Sequence, residues 1–233
     1  MIVSIAQPAY IPWLGYFDRI YNSDYHIVLD DVQIERNTKT SFTNRNRIKT
    51  YSGPTWLTVP IKTRKDNSNI INQVLIDNSS NWKRKHLNSI NLNYSKCTFY
   101  NENESWLKKI YNKEWEYLSK FIRNYNEQLI DYLSINTKFF YSSEMNVKGQ
   151  KSEYILNLCK ELGATKYISG PFGKDYLDEN IFQKNQIEVL YHNYIHPLYD
   201  QIGDKFESNL SILDLILNHG KNSINILKNE IIR

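Results

Sequence analysis

The sequence predicts an α/β protein: a largely parallel, Rossmann-like sheet with flanking helices and a helical insertion. Three observations point there. Two short apolar runs, 1–6 and 25–29, flank a stretch that suits a short helix. Strands joined through a helix usually pair in parallel, with a right-handed crossover. The same helix-to-strand alternation returns over 152–169 and again over 179–191. Between these units, 82–135 is mainly helical, which reads as an inserted region of one α/β domain covering 1–233.

In chain order, the first strand leads into Gln7-Pro8-Ala9-Tyr10-Ile11-Pro12-Trp13-Leu14-Gly15-Tyr16-Phe17. Two prolines stiffen this loop by fixing φ and removing donors, and Gly15 permits close backbone approach. Open α/β sheets bind ligands at the carboxyl ends of their strands, so a rigid loop rich in amide and aromatic groups reads as a ligand-facing wall. The plainer alternative is a proline-rich connection under an aromatic cap. The second strand ends in Asp30-Asp31. Arg36, Lys39, Arg45, Arg47 and Lys49 follow in a polar, basic stretch. After a turn at 52–54, 55–61 reads as a strand with Pro60 at an edge or end. A charged loop over 62–69 and a strand over 70–76 come next.

The interval 106–133 reads as one helix. Trp106, Ile110, Trp115, Leu118, Ile122, Leu129 and Leu133 form an apolar stripe, and these aromatics belong to the core rather than to a ligand platform. A strand over 137–142 precedes a helix that Ser152 caps and Gly163 terminates. The strand over 164–169 opens into Gly170-Pro171-Phe172-Gly173-Lys174, followed by a helix over 179–184 and a strand over 187–191. Ser211-Ile212-Leu213-Asp214 resembles a capping box and starts a helix that stops at Gly220. A last helix is expected over 223–232.

Composition bounds the function classes. In 233 residues, a hydrophobic fraction of 41% supports a sizeable core, and 18 tyrosines suit surfaces both apolar and hydrogen-bonding. A net charge of +4 fits a nucleotide or phosphorylated substrate, yet lacks the clustered charge of a dedicated nucleic-acid binder. The apolar start is too short for a signal peptide and nothing approaches a transmembrane span, so a soluble, cytoplasmic protein is expected. Cys97 and Cys159 lie in no metal-ligand spacing.

Several segments can carry chemistry. Neighbours on a strand point to opposite faces, so one of Asp30 and Asp31 should reach a cleft as metal ligand or general base while the other pairs internally. The Gly170–Gly173 loop matches neither the Walker A spacing nor the dinucleotide fingerprint. Its place between strand and helix, with Lys174 at hand, still suits a phosphate or carboxylate. Arg45-Asn46-Arg47 can present a planar fork to such an anion, or form a solvated basic loop. Among the histidines, His26 reads as core, and His196, near Tyr199 and Gln201, could face a site. No Ser-His-Asp or Cys-His arrangement is readable.

Taken together, these segments resemble the WbqC-like family. The resemblance is carried by Gln7-Pro8-x-Tyr10-x-Pro12-x-x-Gly15-Tyr16-Phe17, Leu29-Asp30-Asp31-Val32-Gln33, Arg45-Asn46 and Trp56-Leu57-Thr58-Val59-Pro60. It continues through Tyr167-Ile168-Ser169-Gly170, Tyr176-Leu177, Tyr199-Asp200-Gln201 and Ser211-Ile212-Leu213-Asp214-Leu215, and so spans nearly the whole chain. It implies an N-acyl or aminoacyl, in particular glycyl, transferase. Such an enzyme would form an amide on a nucleotide-linked amino sugar in O-antigen or capsule biosynthesis. The alternatives are a non-catalytic nucleotide-sugar binding protein and a metal-dependent sugar-nucleotide transferase.

With that resemblance, Gln7, Tyr10, Asp31 and Gln33 are the catalytic candidates. Arg45, Asn46, Ser169, Gly170, Lys174, Tyr176, Tyr199 and Gln201 are the substrate-binding candidates. ATP with Mg2+ is the candidate cofactor, its phosphates held by Lys174 and Arg45. The partners implied are the amino sugar and an activated small amino acid, with no stable nucleic-acid complex, no membrane insertion and room for an oligomer. Family members commonly carry His before the Gln-Pro pair, where this chain has Ala6; any role of that histidine is vacant here or falls to Tyr10 or Gln7. The loops bearing Gln7, Tyr10, Asp31, Gln33, Arg45, Ser169, Tyr176 and Gln201 are expected to line a single cleft.

Overall fold

The computed structural model describes residues 1–35, 41–62 and 69–228. Its strands are β1 (Ile2–Ala6), β2 (Tyr25–Val28), β3 (Arg45–Thr50), β4 (Gly53–Thr58), β5 (Lys138–Tyr141), β6 (Lys166–Ser169) and β7 (Glu188–Tyr191). Five of them form a parallel sheet in the order β5-β2-β1-β6-β7, while β3 and β4 make a separate antiparallel ribbon. The helices are α1 (Leu14–Tyr21), α2 (Trp82–Tyr94), α3 (Tyr100–Asn112), α4 (Leu118–Leu133), α5 (Lys151–Glu161), α6 (Glu179–Lys184), α7 (Ile212–His219) and α8 (Ser223–Leu227). The fold is thus α/β and Rossmann-like, with helices on both faces of the sheet.

Period-two alternation decides which face is which. Val3 and Ile5 of β1 pack with Leu158 of α5 and Phe182 of α6 in one buried cluster. The other face is covered by Leu14, Phe17 and Ile20 of α1, continuous with the buried faces of α2, α3, α4 and α7. The chain therefore crosses from β1 to β2 over one face, through α1, and from β5 to β6 over the other, through α5. The two crossovers diverge between β1 and β6, which are hydrogen-bonded neighbours. Crevices at such a reversal are where doubly wound sheets bind ligands.

Several local expectations need correction. The stretch 106–133 is two helices, α3 and α4, separated by an extended link in which Lys113 has ψ 148° and Tyr117 has ψ 134°. Ile110 and Trp115 are five apart, which slips about 140° off the stripe at 100° per residue; Trp115 instead turns back to donate its indole N–H to Ile110 O at 2.9 Å. The expected strand over 70–76 is a short 3-10 turn, Ile71–Gln73, between isolated bridges of Ile70 with Gln33 and Ile76 with Ile61. Its adjacent polar pair Asn72-Gln73 breaks the alternation a strand needs.

Arg45–Thr50, read as loop, is a strand whose inward residues Asn46 and Ile48 are buried. Ser152 is not the cap of α5, which begins after Gln150. Its hydroxyl instead accepts Asp178 N–H at 3.0 Å and donates to Tyr176 O at 3.2 Å, tying α5 to the α6 loop. Ser211 precedes α7 without a side-chain cap, and Asp214 serves elsewhere. The last described helix ends at Leu227, and the expectation for 229–232 lies outside the described residues, as do Arg36, Lys39 and 63–68.

Candidate functional site

A cleft of about 550 Å³ opens at the carboxyl ends of β1 and β6, at the reversal of the strand order. Its floor is Ala6, Gln7 and Pro8, leaving β1, and one wall is Gly170–Gly173, leaving β6. Arg19 of α1, Arg47 of β3, Tyr176 and His192 complete the working surface. The half-buried Gln7 amide makes no hydrogen bond among the described residues. Its donors and acceptor are therefore open to a ligand.

Both glycines of the wall are dictated by contact. A Cβ on Gly170 would lie 2.9 Å from Arg19 Nη1, so its absence lets the guanidinium lie against the loop. A Cβ on Gly173 would lie 2.0 Å from Ser169 Oγ, which fills that space. Gly15 serves the same purpose across the cleft: a Cβ there would fall 2.4 Å from the Trp13 ring. Among the described residues the buried Nε of Arg19 has no partner, nor has that of Arg47, whose Nη2 donates to Asn209 O at 3.2 Å. Two guanidinium groups lining one cleft make it suited to a phosphate or carboxylate, which planar N–H forks recognise bidentately. Glu35 also lines the cleft, and Phe172 and Tyr176 stand exposed at the rim.

One constellation escaped the sequence reading. His192, immediately after β7, places Nε2 2.6 Å from Oδ2 of Asp18 on α1, and both side chains are buried. Asn22 Nδ2 supports the other carboxylate oxygen at 3.2 Å. The imidazole stacks on Tyr194, with ring centroids 5.8 Å apart, and Tyr194 meets the Trp13 ring edge-on. Residues 18 and 192 are too distant in sequence for spacing to join them. The available signal was a histidine directly after a strand, at the sheet edge where ligands bind.

The expected single cleft holds only part of its residues. Gln7, Gly170 and Tyr176 line it, with Ser169 enclosed beneath Gly173. Tyr10 does not: it is fully buried among the helices, bonded to His86 Nδ1 at 2.9 Å and to the Tyr111 hydroxyl. Asp31 accepts from Ser142 Oγ and Tyr154 OH, each at 2.5 Å, while Asp30 accepts from Ser143 N–H and Oγ at 3.0 and 2.9 Å. Both carboxylates therefore brace the end of β2 against the turn after β5. Gln33 is exposed in its bridge to Ile70.

On the ribbon, Arg45 lies over the Trp56 ring at 4.5 Å, and Arg47, one pleat along, is the arginine that reaches the cleft. Asn46 is buried and donates to Ile11 O. Lys174 is exposed with its ammonium over the Tyr191 ring at 5.1 Å. Tyr199 is buried and donates to Asp214 Oδ2 at 2.9 Å; Tyr94 OH takes the other oxygen at the same distance. Burial raises the Asp214 pKa above the usual carboxylate value. Gln201 clamps its own loop through both main-chain groups of Glu207, at 2.8 Å each. Its side chain is thus spent on structure.

A parallel sheet with a basic crevice at its strand reversal defines an α/β protein of the doubly wound class. The chain belongs to the WbqC-like protein family, whose model matches residues 7–226. It is similar to the uncharacterized protein Rv1507c of Mycobacterium tuberculosis (strain ATCC 25618 / H37Rv), at 37% identity over 228 residues and 97% of each chain. No solved structure matches it. Among the described residues no helix is long and apolar enough to cross a membrane.

Proposed function

We propose that this protein is an N-acyl or aminoacyl transferase that forms an amide on a nucleotide-linked amino sugar, with a small amino acid such as glycine as the acyl group, in the assembly of a surface polysaccharide. One observation carries the reading: Arg19 and Arg47 both line the crevice where β1 and β6 end. Paired guanidiniums in a concave site suit a diphosphate better than they suit an uncharged sugar. Gln7 has the donors and acceptor to orient the attached sugar.

The acyl group must arrive activated, and ATP with Mg2+ is one route; its phosphates would compete for the same two arginines. The carboxylates of Asp30 and Asp31 are engaged by Ser142, Ser143 and Tyr154, so nothing in their geometry favours the metal-dependent sugar-nucleotide transferase. The test is to incubate the protein with a TDP-linked 4-amino sugar, glycine and ATP, or glycyl-tRNA, and follow the sugar by mass spectrometry. A glycyl mass gain supports the reading, and its absence with every activated donor sinks it. Tight binding without turnover would leave a nucleotide-sugar binding protein.

A further inference from the structure

We infer that His192 is the general base that takes the proton from the incoming amine, with Asp18 and Tyr194 as its positioning residues; this rests on the amide-forming reading above. A carboxylate only accepts, so the 2.6 Å contact fixes the hydrogen on His192 Nε2, donated to Asp18 Oδ2. The lone pair then sits on Nδ1, which makes no hydrogen bond among the described residues, in a side chain that lines the cleft. The main-chain N–H of His192 donates to Ser169 O at 2.9 Å, which hangs the ring from the joined ends of β6 and β7. Tyr194 stacks against the imidazole, at an interplanar angle of 27°, with Trp13 behind it. Hydrogen bond and stacking together leave the ring one orientation. Proton transfer needs such a base held within reach of the substrate.

The step balances without a further reactant beyond an activated acyl group. As the amine nitrogen bonds to the acyl carbon, Nδ1 takes the proton the nitrogen sheds. The bond from that carbon to its leaving oxygen breaks, and the electron pair departs on the oxygen as phosphate from an acyl phosphate, as AMP from an acyl adenylate, or as the ribose alkoxide of an aminoacyl ester, which takes up the proton held on Nδ1. The titratable and charged groups that touch the ring or line the cleft with it are Asp18 and the Tyr194 phenol in contact with it, and Arg19, Arg47 and Glu35 on the cleft walls. The competing account is that His192 and Asp18 only fasten β7 to α1.

The test combines nitrogen NMR with kinetics on 15N-histidine-labelled protein, probed with a TDP-linked 4-amino sugar and with the corresponding 4-hydroxy sugar. The expected spectrum has His192 with a proton on Nε2, and with an Nδ1 resonance that moves on binding the amino sugar and not the hydroxy sugar. His192→Gln should lower kcat about 10²- to 10⁴-fold, the range of general-base contributions, with KM little changed. Asp18→Asn should shift the acid limb of the kcat–pH profile, which a purely structural brace would not do. An Nδ1 resonance blind to a bound amino sugar, or full kcat in His192→Gln, overturns the assignment while leaving nucleotide-sugar binding intact. Failure of either sugar to bind overturns the proposed function and this assignment with it.

Discussion

Asn46 Nδ2 donates to the carbonyl oxygen of Ile11 at 2.8 Å, and Ile11 has φ 39°. A β-branched residue in the left-handed region is an outlier that persists only where its surroundings impose it. The ribbon therefore holds the first loop in shape from behind. Asn46→Ala should cost about 1–3 kcal/mol, because it leaves a buried carbonyl unpaired. Urea unfolding checks this, and an unchanged midpoint would show that the loop holds its own conformation.

The two glycines of the cleft wall should respond differently to alanine. Gly173→Ala drives a Cβ into Ser169 Oγ and Leu177, an overpacking that should cost about 1–3 kcal/mol. Gly170→Ala meets only the end of the Arg19 side chain, which can swing away. Its stability should change little, while affinity for a nucleoside diphosphate falls. Thermal unfolding and calorimetry on both variants separate the two outcomes.

Arg19→Ala and Arg47→Ala should each weaken nucleoside diphosphate binding about 10-fold or more, since hydrogen bonds to charged groups contribute about 1.5–3 kcal/mol. Removing either arginine should also flatten the salt dependence of the remaining affinity. Lys174→Ala, which takes away an ammonium parked over Tyr191, should leave binding close to wild type. Equal losses in all three variants would place the phosphates on the outer loop instead.

Acid should destabilise the fold through its buried histidines. Burial lowers the His86 pKa to about 4, and His26 is pushed down by burial and then by Arg19. The unfolded chain binds protons at these positions near pH 6.5 and the folded chain resists. Stability is therefore complete above about 6.5 and falls as pH drops toward 4. The His86 shift alone corresponds to about 3 kcal/mol. His86→Phe should make the decline between pH 6.5 and 4 shallower in denaturant midpoints. Tyr10→Phe, which removes the hydroxyl bonded to His86 and Tyr111, should lower stability and leave nucleotide affinity alone.

Period and punctuation made the sheet readable in the sequence. The apolar runs around α1, and the units over 152–169 and 179–191, each gave a strand close to its expected limits. The site was read less well because residue type does not reveal which polar groups are already satisfied. Tyr10, Asn46, Tyr199 and Gln201 are polar residues in loops or on strands, as a ligand-binding residue would be. In the fold their hydrogen bonds go to His86, Ile11, Asp214 and Glu207. Arg19 and Asp18 sit inside a short amphipathic helix and looked like ordinary helix residues. Only the packing of α1 against the ends of β6 and β7 brings Arg19 to the cleft and Asp18 to His192.

The central place of β1 has a consequence for biosynthesis. β2 can pair with it almost at once, but its other neighbour begins at Lys166. At about 5–20 residues per second of translation, one side of Ile2-Val3-Ser4-Ile5-Ala6 waits on the order of ten seconds for its partner. A bare apolar edge is a template for unwanted pairing, so the nascent chain is most exposed to aggregation before residue 170 has left the ribosome. Slower elongation should lower its soluble yield unless a chaperone shields the amino terminus.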